Sequence, residues 1–82
     1  MSNFEEIYRT YSEDVYRFSR WLCGDPIEAE DIVSETFVRL WGSRDDLQVA
    51  TLKAYLLTIA RIVYVSRRRR SQRYEPLSDS PH

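Results

Sequence analysis

The sequence predicts an all-α domain: a small three-helix or four-helix bundle with a basic end to its last helix and a flexible tail. Apolar residues recur at steps of three and four from Phe4 to Val63, the period that gathers side chains on one face of a helix. Helix formers dominate from Phe4 to Arg73, with only 2 glycines and 3 prolines in 82 residues. The aromatic-rich 43% hydrophobic content is that of a chain with a core, neither disordered nor collagen-like. At this length a single domain is expected, of marginal size, because small chains bury a smaller fraction of their surface.

The first helix is expected from about Asn3 to Cys23, with Phe4, Tyr8, Tyr11, Val15, Phe18 and Leu22 on one stripe. Gly24 ends it by supplying a left-handed cap. A second helix starts at Asp25-Pro26-Ile27-Glu28: Asp25 caps free N–H groups, Pro26 loses nothing at the first helical position, and Glu28 completes a capping box. Its apolar face is Ala29, Ile32, Val33, Phe37, Leu40 and Trp41, and it stops near Gly42, before a polar loop to about Ala50. Thr51 caps a third helix with Leu52, Leu56, Ile59 and Val63 on its face, running to Arg70 or beyond. The domain is therefore placed at residues 1–70. Residues 71–82, with Pro76, Pro81 and scattered serines, read as a flexible tail or the start of an interdomain linker.

The residue inventory speaks against an enzyme. The only histidine is His82, the only cysteine is Cys23, and there is no glycine-rich phosphate loop, so no catalytic constellation and no cofactor are expected. Spacings of three and four put some of Glu28, Glu30, Asp31 and Glu35 on one helical face, but without histidines or a matching second helix they suit the helix dipole better than a metal. A lone cysteine and the lack of a signal peptide before Phe4 predict a cytoplasmic protein. No membrane insertion is expected, because the apolar stretch from Ala54 to Val65 contains Arg61 and is far shorter than the roughly twenty residues a bilayer span needs.

Charge is divided along the chain. Residues 1–46 hold 5 basic and 11 acidic side chains, and residues 47–82 hold 7 and 2, so a net charge of −1 conceals an acidic front and a basic back. Arg67, Arg68, Arg69 and Arg70, with Arg61 and Arg73 beside them, exceed what favourable helix-end electrostatics explains and point to phosphate. Arg61, Tyr64 and Arg68 fall near one side, a cation and aromatic mixture that suits a single strand; Tyr64 equally fits the core at the helix end.

The run from Glu28 to Trp41, then Leu52-Lys-Ala-Tyr-Leu-Leu-Thr-Ile-Ala-Arg61 and the paired Arg69-Arg70, resembles the promoter-melting, polymerase-binding domain (region 2) of extracytoplasmic-function (ECF) sigma factors. The resemblance covers about Phe4 to Arg70. It implies that the second helix docks on a coiled coil of the largest subunit of bacterial core RNA polymerase, through Asp31, Ser34, Glu35, Thr36 and Phe37. It also implies that the segment Gly42 to Tyr55 holds a flipped base of the non-template strand of the −10 promoter element. Lys53 keeps a basic position there, and Tyr55 stands where the family usually has tryptophan. Arg61, Arg69 and Arg70 match basic family positions; Tyr64, Arg67 and Arg68 complete the expected DNA-binding set. An anti-sigma factor is a further implied partner.

Three positions depart from the family pattern: Ser34 replaces a glutamine, Ile62 an asparagine and Ser66 an aspartate. The helix-turn-helix domain that reads the −35 element is not in this sequence, so a fragment of a longer protein is expected. The competing reading is a helical regulator or adaptor that binds polymerase or an anti-sigma factor without reading DNA.

Overall fold

A computed structural model describes residues 4–42 and 52–74, the side chains of 72–74 excepted. Its helices are α1 (Phe4–Cys23), α2 (Pro26–Gly42) and α3 (Leu52–Tyr74), each packed on the other two. The expected bundle is therefore three-helical among the described residues. Helix α3 runs on through residues 71–74, the first part of the expected tail; residues 75–82, the loop at 43–50 and the Thr51 cap lie outside the described residues.

The α1–α2 turn is built as its residues dictate. Gly24 has φ +73°, and its N–H reaches the Arg20 carbonyl at 2.8 Å, a left-handed stop that spares a side chain the steric cost. Asp25 accepts the Glu28 N–H on Oδ2 at 2.7 Å and so caps α2. The Glu28 carboxylate does not fold back to complete a capping box; it points toward Arg67, Oε2 to Nε 3.8 Å.

All four expected core positions of α3 are buried, as are Ala29, Ile32, Val33, Phe37 and Leu40 of α2. Removing each large side chain from water contributes about 1.5–3 kcal/mol, the main force holding the bundle. Small residues let the helices approach closely: Ser19, Thr36 and Ala60 are each fully buried. Ser19 satisfies its hydroxyl by donating to the Val15 carbonyl at 2.8 Å.

Helix α1 differs from its expected stripe. Only Val15 and Ser19 are buried in it; Phe4, Tyr11 and Phe18 are half-buried against the core and Tyr8 is exposed. Large rings at the margin close the seam with α2 by edge contacts, Phe4 with Trp41 at 4.9 Å and Tyr8 with Phe37 at 4.8 Å between centroids. Trp41 thus belongs to the rim of the bundle, 51% exposed, and not to its core.

Candidate functional site

Helix α2 presents two opposite faces. With its core face inward, Ile27, Asp31, Ser34, Val38 and Trp41 are all exposed, and their steps of four and three put them on a single outer stripe. Ile27 is 71% and Val38 68% exposed. Such spacing is what a helix offers to a neighbouring coiled coil. Sequence reasoning missed Ile27 and Val38 as surface groups; the signal was present, since both fall between the steps of the core face.

Of the five residues expected to dock, three reach the surface: Asp31 and Ser34 on the stripe, and Glu35, partly exposed, on its shoulder. Thr36 and Phe37 do not. They are 0% and 2% exposed, because their phase on the helix is that of Ile32, Val33 and Leu40, so their side chains shape the core beneath the outer stripe. The Thr36 hydroxyl is buried without a hydrogen-bond partner. Ser34 also borders an open groove of about 510 Å³ between α1 and α2, whose walls include Tyr8, Tyr16, Glu13 and Glu30.

The arginine run divides by helical phase. Arg68, Arg69 and Arg70 are exposed, as is Arg61 about two turns earlier. The guanidinium of Arg68 lies 5.8 Å from the Tyr64 ring centroid, a cation–π pair that joins charge to a flat surface. Tyr64 itself is half-buried against the core, which is one of its two expected roles, and its ring carries Arg68.

Arg67 behaves differently. It continues the inward steps of Leu56, Ala60 and Val63 and meets the acidic shoulder of α2 instead of solvent. Its Nη2 is 3.4 Å from Asp31 Oδ2, its Nε 3.8 Å from Glu28 Oε2, and its Nη1 4.0 Å from Glu35 Oε1. Glu35 is shared, its Oε2 accepting from Arg39 Nη2 at 3.4 Å. Arg67, expected to contact phosphate, thus lies in an internal ion-pair cluster in the free chain, with three carboxylates within reach of a side chain only 29% exposed. Lys53, at the start of α3, likewise faces an acid: its Nζ is 3.6 Å from Asp14 Oδ2 of α1. Both groups of that pair are well solvated, so water and salt weaken it and leave Lys53 available to a stronger anion.

Tyr55 is 36% and Ile62 51% exposed on α3. The rest of the expected base-holding segment, residues 43–51, lies outside the described residues. Among the described residues no cluster of histidine, cysteine or carboxylate side chains could hold a metal ion, and no helix is long and apolar enough to cross a membrane.

Residues 7–74 match the family described as Sigma-70 region 2. The chain is 32% identical over 81 residues to the ECF RNA polymerase sigma factor SigE of Mycolicibacterium smegmatis, a match covering 96% of this chain and 32% of that protein. It is 32% identical over 75 residues to the ECF RNA polymerase sigma factor SigM of Bacillus subtilis, covering 92% and 46%, and 31% identical over 70 residues to SigX of the same species, covering 84% and 36%. The chain thus spans less than half the length of these relatives. No solved structure matches it.

Proposed function

The chain belongs to the Sigma-70 region 2 family, with ECF sigma factors as its relatives, and from that premise we propose that it docks on core RNA polymerase through α2 and holds the opened −10 strand against α3. The observation that carries the docking half is the outer stripe of α2, apolar at Ile27, Val38 and Trp41 and polar at Asp31 and Ser34. It pairs the spacing a coiled coil needs with an acidic edge that suits a basic partner.

The nucleic-acid half rests on the exposed cations Arg61, Arg68, Arg69 and Arg70 of α3, with Arg68 against the Tyr64 ring and Tyr55 exposed near the start of the same helix. Extracting a base costs a few kcal/mol of stacking and pairing. Stacking on an aromatic or guanidinium surface returns on the order of 1–3 kcal/mol per base, and phosphate neutralisation supplies more. Strand opening is then driven by differential binding of the open form, with no bond made or broken and no cofactor, in the cytoplasm where polymerase works. Base selection falls to the segment from Gly42 to Tyr55, with Lys53 and Tyr55 at its edge.

The test is a pull-down on core polymerase. Val38→Glu and Ile27→Glu, both at exposed sites, should abolish retention while circular dichroism stays helical; retention equal to the parent's would remove the docking assignment. The polymerase-bound chain is then offered single-stranded −10-like oligonucleotides changed one base at a time. A loss of roughly 1–3 kcal/mol at one or two positions, blunted by Tyr55→Ala or Lys53→Ala, supports base holding. Uniform affinity favours the second reading, a regulator that binds polymerase or an anti-sigma factor without reading DNA, for which the exposed apolar Ile62 in a polar family position speaks.

A further inference from the structure

Arg67 stands between the two proposed surfaces. It belongs by sequence to the cation run of α3, yet it spends its charge on Glu28, Asp31 and Glu35, which form one shoulder of the docking helix. Its hold on them is loose. Only the Asp31 contact is within hydrogen-bonding distance, at 3.4 Å, well beyond the roughly 2.7–2.9 Å of a tight charge-assisted bond, and the buried Nε has no hydrogen-bond partner. The attraction is therefore mainly Coulombic and is open to exchange for a better-placed anion.

We infer that Arg67 is a shared cation that couples the two surfaces: while Asp31 and Glu35 are unoccupied it stays on them and off phosphate, and a basic partner that takes those carboxylates releases it to nucleic acid. The identity of that basic partner as polymerase rests on the proposed function; the exchange itself does not. Arg68 and Arg70 flank Arg67 on the same helical turn, so a backbone phosphate drawn to them lies within a side chain's reach of the released guanidinium. Linkage makes the effect reciprocal: a phosphate that draws Arg67 away uncovers Asp31 and Glu35, and so strengthens docking by the same factor.

The free chain is sufficient for the test. Affinity for a fluorescent single-stranded oligonucleotide of mixed sequence is measured against salt for the parent and for a neutralised variant, Glu28→Gln with Asp31→Asn and Glu35→Gln. Arg67→Ala and Arg70→Ala are then placed in each background. In the parent, Arg67→Ala should change affinity less than about two-fold, whereas in the neutralised background it should cost about five-fold and lower the log-log salt slope by about 0.7. Arg70→Ala, an exposed cation outside the cluster, should cost the same in both backgrounds, which removes the general effect of deleting negative charge. Equal cost of Arg67→Ala in both backgrounds overturns the inference, as does a failure of every variant to bind the oligonucleotide. If circular dichroism shows the triple variant unfolded, Asp31→Asn alone serves in the same cycle, since it leaves the Asp25 cap and the Glu35–Arg39 pair intact. Failure of the polymerase reading shows separately, as absence of the parent from core polymerase in the pull-down.

Discussion

Arg67 and Asp31 face each other across the α2–α3 interface, Nη2 to Oδ2 3.4 Å, so one cation of the basic run and one acid of the outer stripe of α2 are partners in the folded chain. The pairing changes how substitutions at either residue are interpreted. Asp31→Arg sets a second cation against Arg67 and should weaken docking partly by disturbing α3, whereas Val38→Glu acts on the stripe alone. Urea denaturation of both variants separates the effects: only Asp31→Arg should lower the midpoint, by an amount corresponding to about 1 kcal/mol.

Thr36→Val should stabilise the domain by roughly 1 kcal/mol. The Thr36 hydroxyl is fully buried without a hydrogen-bond partner, and a methyl in its place removes the desolvation cost of an unpaired polar group. Thermal unfolding measures it, and polymerase retention should be unchanged because the side chain has no exposed surface. A lower melting temperature would mean that the hydroxyl is satisfied in solution.

Leu56→Ala removes a fully buried side chain from the one core the three helices share. The expected loss is about 2–5 kcal/mol, a large part of the roughly 4–12 kcal/mol available to a domain of this size. Urea denaturation should show a midpoint shift large enough to leave a measurable unfolded fraction in buffer.

Gly24→Ala should destabilise by about 1 kcal/mol. Apart from the local backbone and its two chain neighbours, no atom lies within 4 Å of where the added Cβ would sit, so the cost is that of the left-handed backbone at φ +73°. Asp25→Ala, losing the α2 cap, should cost a similar amount. Chemical denaturation of each alone and of both together tests whether the two costs add.

The salt dependence of oligonucleotide binding should divide the arginines. Arg68→Ala, Arg69→Ala and Arg70→Ala should each reduce the log-log slope by about 0.7 to 1, one phosphate contact apiece. A parent slope retained in all three would make the run a solubilising surface.

Much of the fold was legible because burial follows period. Every core residue expected on α3, and all but Trp41 on α2, is buried. The residues that escaped are small or polar: Ser19, Thr36 and Ala60 are buried because helices close best over short side chains, a property that a search for large apolar groups passes over. On α1 the rings are too large to fit between close helices and lie at the margin instead. In the candidate site, exposure was harder to read than charge. Four adjacent arginines look equivalent in sequence, but Arg67 alone keeps the inward phase of Leu56, Ala60 and Val63, and that step count pointed to its partners. Thr36 and Phe37 lie within the expected docking motif, on a helix whose outer stripe takes only every third or fourth residue.

The edge contact between Phe4 and Trp41 gives the protein an optical signal of its own. The chain has 2 tryptophans: Trp21, 77% exposed, should emit as a solvated indole, while Trp41 is packed by Phe4 at the seam and lies on the outer stripe of α2. Covering that stripe should blue-shift and protect Trp41 from iodide while Trp21 stays quenchable. Trp21→Phe would then leave a single emitter whose spectrum follows complex formation in real time without any attached dye.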